Sequence, residues 1–265
     1  MKRFLIIPLL LSGLFWTGCQ KDLDTYHGES GIYFDHIKDQ NLLRADTIPF
    51  AWGQVTGGIL EQKIALQIDL IGNVADHDRK FQVTVAESIV PEALKGEMQV
   101  AVEGVDYLPF ETECMIPANE VSTNLEITLL RTEALQTESR ILTVKLQESD
   151  ELKFLYSREL TDEAGNRRRI DLQRVIVMDE TLPRPDWWWG NINDIFGEYS
   201  MKKAITICDV MGIDRQEWLS DNFGNRTAYL NFVGQYVQRW LNEQNPPVYE
   251  EDGETLMEMG PDSQN

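Results

Sequence analysis

A chain of 265 residues with 44 acidic against 24 basic side chains carries a formal net charge of −20. A surface that negative repels phosphate backbones and anionic lipid head groups, so nucleic acid is excluded as a partner.

Lys2 and Arg3 precede an almost wholly apolar run over residues 4–16, interrupted by Pro8, Ser12 and Gly13. The run is shorter than the roughly 20 residues that span a bilayer. It fits the apolar region of an export signal, residues 1–18. Thr17 and Gly18 then set two small residues before Cys19. This order resembles the lipobox of bacterial lipoproteins, although Trp16 stands where that family usually carries Leu. The resemblance implies cleavage before Cys19 and a diacylglycerol on its thiol. At about 0.8 kcal/mol per buried methylene, two or three acyl chains of the palmitate type hold a protein on a membrane essentially irreversibly. Residues 19–30 then form a lipidated tether. Gln20-Lys21-Asp22-Leu23-Asp24 resembles the surface-export signal of Bacteroidetes lipoproteins, which implies display on the outer face of the bacterial outer membrane.

Over residues 31–182 the hydrophobic period is two. Ile64, Leu66, Ile68 and Leu70 alternate with polar or small residues, as do Phe81, Val83 and Val85. Leu125, Ile127 and Leu129 repeat the pattern, and so do Leu142, Val144 and Leu146. Each run predicts a strand with one face inward and one wet. Thr56-Gly57-Gly58, Gly72-Asn73 and Ala164-Gly165-Asn166 are turn signals. The last predicts a hairpin joining residues 152–160 to 168–178. Many short strands at this spacing predict an immunoglobulin-like antiparallel β-sandwich. Gly104-Val105-Asp106-Tyr107, Ile116-Pro117-Ala118-Asn119 and the two closing strands resemble the Calx-beta type of that sandwich. The calcium that some Calx-beta members bind is not carried over, because the acidic clusters lack a spaced ligand set.

Pro183 and Pro185 mark a boundary, after which the period becomes 3.6. The fold class is therefore mainly β with an α-helical C-terminal region: a sandwich followed by a small helical subdomain over 187–244. Met201, Ala204, Ile205 and Cys208 predict one helix, stopped by Gly212. Asp214 with Glu217 resembles a capping box for a short second helix. Tyr229, Phe232, Val233, Tyr236, Val237, Trp240 and Leu241 predict an amphipathic helix with its aromatics in the core. Fewer than about 65 residues bury limited apolar surface, so the helices are expected to dock on the sandwich, on a partner, or on both. The acidic tail, 245–265, reads as mobile or as a partner-contacting extension.

Little in the chain invites catalysis. His27, His36 and His77 are the only imidazoles, and no nucleophile motif accompanies them. Asp76, His77 and Asp78 have the right side chains for a metal but no fourth partner, so neither metal nor cofactor is expected. Cys114 and Cys208 read as small hydrophobes; the pattern does not call for a disulfide between them, though it allows one. A glycosidase needs only two carboxylates, and this chain has many. Arg167-Arg168-Arg169 reads as a solvated hairpin edge or, more weakly, an acidic partner's contact. Trp187-Trp188-Trp189 is the one run that suggests binding of a ligand or partner. In an extended segment Trp187 and Trp189 share a face opposite Trp188, so part of the run is expected to join the two regions as core.

Cys19-Gln20-Lys21-Asp22, the Tyr26–Phe34 segment with Gly28 and Gly31, and Asp46-Thr47-Ile48 followed by Phe50 and Trp52 resemble a family of Bacteroidetes lipoproteins with a domain of unknown function. The resemblance covers nearly the whole mature chain. It implies an accessory role beside SusC/SusD-type importers, in which a SusC-like TonB-dependent transporter and a SusD-like lipoprotein take up glycans or oligopeptides. The expected function is a non-catalytic binding subunit of such a system. A surface hydrolase that trims the nutrient and a structural or adhesive protein are the alternatives.

Overall fold

In the computed structural model, residues 28–37, 45–161, 165 and 167–264 are described. The expected export segment, Cys19, the expected tether before residue 28 and His27 lie outside the described residues. Among the described residues no helix is long and apolar enough to cross a membrane.

One sheet contains β1 (Gly31–Phe34), β3 (Glu61–Ile71) and β7 (Ser122–Leu130), paired in the order β1-β3-β7 and antiparallel throughout. The second contains β2 (Thr47–Ala51), β4 (Arg79–Ala86), β5 (Met98–Val100), β6 (Glu113–Ile116), β8 (Ser139–Gln147) and β11 (Gln173–Asp179). Its order is β2-β11-β8-β4-β6, with β5 on the same flank of β8 as β4. The period-two residues meet between the sheets. Ile68, Phe81, Val83, Ile127, Leu142, Val144 and Ile176 belong to one core with Trp52 and Phe34. This is the sandwich expected from the alternation.

Three details depart from expectation. Two pairings are parallel, β2 with β11 and β5 with β8. Each joins strands far apart in sequence, where no hairpin turn dictates direction. The outer face of β8 is not wet along its length. Ile141 packs with Met98 and Val175 in a separate small cluster, and buried Thr143 accepts a 3.0 Å hydrogen bond from the Ser88 hydroxyl. Residues 88–98 cover that face. The predicted long hairpin is short: only β9 (Glu159–Thr161) pairs with β10 (Arg167–Arg169). Residues 170–172 interrupt the run before β11, because fully buried Asp171 is tied down by Arg158.

The Gly-x-Asp-Tyr step is structural. Asp106 accepts from the Val102 amide at 2.8 Å and pairs with Arg140, while Tyr107 is buried in the sandwich core. In the Pro-Ala-Asn turn, Asn119 takes a left-handed φ of 63° and its amide donates to the Ala75 carbonyl at 2.7 Å. Asn is among the few non-glycine residues that tolerate this conformation.

The helices form a second core. They are α1 (Asn191–Phe196), α2 (Met201–Met211), α3 (Arg215–Leu219), α4 (Asp221–Gly224) and α5 (Thr227–Asn242). Gly212 ends α2 in the left-handed region at φ 62°, and the Asp214 carboxylate caps α3 by accepting from Gln216 and Glu217. The reciprocal half of the capping box is replaced: Glu217 pairs with Arg226 instead.

The C-terminal tail is packed, contrary to its reading as mobile. Met257 and Met259 are buried in the helical core, and Ser263 donates to the Ile195 carbonyl at 2.8 Å. Its acids also have work to do. Glu250 accepts from Ser200 and pairs with buried Lys203, while Glu251 accepts from the Lys202 amide at 2.9 Å. These contacts place negative charge at the N-terminus of α2, where the exposed amides and the helix dipole favour it.

Candidate functional site

The tryptophan run is mostly core. Asp186 and Trp187 lie in a turn, closed by a 3.1 Å bond from the Trp188 amide to the Pro185 carbonyl. The turn cancels the alternation of an extended segment, so Trp187 and Trp188 both point inward. Trp188 is fully buried and donates from Nε1 to the Gly197 carbonyl at 3.1 Å. Trp187 donates to the Trp218 carbonyl at 2.9 Å and meets Trp218 edge-on at 4.8 Å between ring centroids. Trp189 alone is exposed, at 60%. The Arg184 guanidinium covers one of its faces at 3.2 Å while donating to the Trp188 carbonyl. Of the three candidate binding residues, only Trp189 presents a ring to solvent.

The last helix holds the surface that sequence reading missed. Leu230, Val233, Gly234, Val237 and Leu241 face the core. Tyr229, Phe232 and Tyr236 do not: they are 36%, 50% and 42% exposed. Their rings run in sequence along α5, with centroids 6.4 Å and then 6.0 Å apart and planes tilted by 28° and 39°. Arg239 lies over the far end, 6.0 Å from the Tyr236 ring. No acidic residue occurs in α5, whose sequence is TAYLNFVGQYVQRWLN. In a protein of net charge −20, this is an aromatic, weakly basic strip. Gly234 has no room for a Cβ, which would strike Ser263 and Ile195, so its side of the helix is the close-packed one.

A second feature is a cleft of about 740 Å³ between the sandwich and α2. On the sandwich side it is lined by Gly57, Gly58 and Leu60, by the 131–137 connection after β7, and by Glu180 at the end of β11. Met201, Lys202, Ile205, Thr206 and Asp209 line it from α2, with Arg215 and Glu251 beside them. The floor is braced by ions. Arg131 and Glu180 form a largely buried pair. Arg215, only 1% exposed, donates to the Gly53 carbonyl at 2.9 Å and to Asp209 at 2.7 Å, and so ties the helices to the sandwich.

The remaining sequence candidates are accounted for by structure. His77 bonds Asp76 at 3.1 Å and Glu151 at 2.7 Å. The Glu151 bond, then the Asp76 bond, raise the imidazole above its usual 6.5. Asp78 instead accepts from the Ala118 amide at 2.9 Å. Among the described residues no group of three or more His, Cys, Asp or Glu could hold a metal. His36 lies 3.6 Å from Asp171. Burial works to raise the Asp171 carboxyl, but the bonds and charge of Arg158, with His36, hold it below its usual 3.8. Cys114 is half-buried and Cys208 buried, and both are free thiols. Burial pushes them up to about 11 and about 12, far from the range of a reactive thiolate. Arg168 of the basic run lies 3.3 Å from buried Asp46, and Arg169 sits over Phe154.

A family model for a domain of unknown function, DUF4843, matches residues 26–213. The chain belongs to the DUF4843 family. The match runs from the approach to β1 through the sandwich, the tryptophan run and α2, so the cleft lies mostly within the DUF4843 region and α5 lies beyond it. No curated protein matches the chain. Among solved structures, it is similar to a Bacteroides ovatus protein provisionally named as carbohydrate binding. That match has 13% identity and a TM-score of 0.36, and covers 56% of this chain and 36% of the other. It is similar also to the apo CBD1 domain of Calx, at 8% identity and a TM-score of 0.34, covering 57% and 97%. A two-domain Bacteroides fragilis protein of unknown function matches at 11% identity and 0.36, covering 57% and 45%. The chain therefore spans well under half of the Bacteroides ovatus protein. Superpositions this distant say nothing about ligand or activity.

Proposed function

We propose that this DUF4843 chain is a lipid-anchored surface protein of the bacterial outer membrane. Its role is that of a non-catalytic accessory subunit in a SusC/SusD-type importer for glycans or oligopeptides. It docks on the importer through the outer face of α5. The observation that carries the reading is the strip of Tyr229, Phe232 and Tyr236, three neighbouring rings held in solvent on a rigid helix that has no acidic residue. Aromatic residues dominate the centres of protein interfaces, and charged residues are depleted there. Exposing such rings costs solubility, so a contiguous patch of them marks an interaction surface.

Two further observations fit. The Thr17-Gly18-Cys19 sequence supplies the anchor that a subunit working at the membrane needs. The clearest carboxylate shifts, at Asp76, Asp171 and Asp252, all run downward. That direction suits ion pairs and hydrogen bonds. A glycosidase acid would be raised.

The test is a pull-down of the tagged full chain from its native membrane in mild detergent, followed by mass spectrometry. A TonB-dependent barrel and a capture lipoprotein are expected with the wild type. Both are expected to be lost when Tyr229, Phe232 and Tyr236 are changed together to Ser. Recovery of the chain alone, under conditions that keep known importers intact, would overturn the proposal.

A further inference from the structure

The cleft between the sandwich and α2 has a chemistry different from the α5 strip. None of its lining residues is aromatic, so it offers no ring on which a sugar could stack. Its two guanidiniums are already committed, Arg131 to Glu180 and Arg215 to Asp209 and the Gly53 carbonyl. A third cation, Lys202, lines the cleft and donates from Nζ to the Glu250 carbonyl at 3.4 Å. What it presents is an aliphatic wall of Leu60, Met201 and Ile205, flanked by the exposed carboxylates Glu133 and Glu251. Glu133 has no ion pair among the described residues. Glu251 accepts from the Lys202 amide and has no side-chain ion pair among the described residues.

The walls also leave polar capacity over. Thr132 Oγ1, on a half-buried residue of the cleft wall, has no hydrogen-bond partner among the described residues. Buried polar groups are nearly always satisfied, and those that are not call for an explanation such as a ligand or its waters. Gly57 lets the loop press against α2, where a Cβ would come within 2.7 Å of Asp209 Oδ1. Gly58 beside it has a φ of 85°, which favours glycine, and open space where a Cβ would stand.

We infer that the cleft binds a short peptide that lays an aliphatic side chain on Leu60, Met201 and Ile205 and turns a cationic group toward Glu133 and Glu251. A cleft of about 740 Å³ is of the size that holds small ligands, and the charge of −20 draws cations toward it. The inference deepens the binding role proposed above by naming a ligand class. It does not need the importer, because the isolated chain carries the whole cleft.

The test incubates the full chain, purified in mild detergent with no importer present, with a pool of random tetrapeptides and a pool of neutral oligosaccharides. Retained molecules are identified by mass spectrometry. Peptides that combine Lys or Arg with Leu, Ile or Val are expected to be enriched. Their retention is expected to fall about tenfold or more in Ile205→Trp, which fills the cleft. A comparable fall is expected in the double variant Glu133→Gln with Glu251→Gln, whose surface changes leave the core alone and so decide the matter if Ile205→Trp does not fold. Enrichment of no peptide, retention of oligosaccharides instead, or peptide retention unchanged in the double variant would overturn the inference. The Tyr229, Phe232 and Tyr236 variant is expected to keep its peptides. Loss of importer binding and loss of peptide binding are thus separate results.

Discussion

Two groups of aromatic side chains in this protein are alike in composition and opposite in placement. Trp187 and Trp188 are drawn into the helical core, where Trp218, Phe196 and Phe223 surround them and backbone carbonyls take both indole N–H groups. Tyr229, Phe232 and Tyr236 stand outside that core, although Phe223 touches Tyr229 and links the two groups. The inward pair is held by a turn and by satisfied polar edges. The outward strip is left over because a tighter-packing arc of the same helix takes the core. Aromatic content alone therefore does not separate a core from an interface; local backbone geometry and the small residues opposite do.

Substitutions should break this symmetry. Trp188→Ala empties a fully enclosed site, and a loss of about 3 to 5 kcal/mol in unfolding free energy is expected in urea titrations. An effect below about 1 kcal/mol there would mean the ring is not core. Gly234→Ala should cost about 1 to 3 kcal/mol, since the new methyl meets Ser263 and Ile195. Its melting curve reports directly on whether the tail is seated against α5. Phe232→Ser, on the outward strip, should change stability by no more than about 0.5 kcal/mol, which separates loss of binding from loss of fold.

The smallest effect is at His77. Its folded pKa is raised, so the protonated ring adds stability that is fully present below the usual 6.5 and is lost as pH rises through the folded value. A slight fall in melting temperature from pH 6 to pH 8 is expected in the wild type, and a smaller fall in His77→Ala. Asp171 works in the other direction. Its contribution is present above its usual 3.8 and is lost as pH drops through its lowered folded value.

Much of the fold was legible in residues. The alternation of Leu125, Ile127 and Leu129 named the inward face of β7, and Gly212 and Asp214 named the end of one helix and the start of the next. The candidate surfaces were less so. The tryptophan run was read as extended, but the turn after Pro185 puts two neighbouring rings on one side. The apolar residues of α5 cover roughly half of its circumference at 3.6 residues per turn, which is wider than one packing interface needs. Periodicity marks that arc without saying which part of it is covered. The cleft had no signal at all, because its walls come from separate segments scattered between Gly57 and Glu251.

The sequence by itself determined what depends on neighbours along the chain: strand and helix periods, turn glycines, helix caps and the net charge. These follow from local sterics, hydrogen bonding and composition. Only the tertiary structure decided that the acidic tail seals the helical core and caps α2, that Arg215 braces the sandwich against the helices, and that the aromatic strip of α5 faces solvent. Those outcomes depend on which surfaces approach closely enough to exclude water and which small residues permit it. That competition is settled between distant segments.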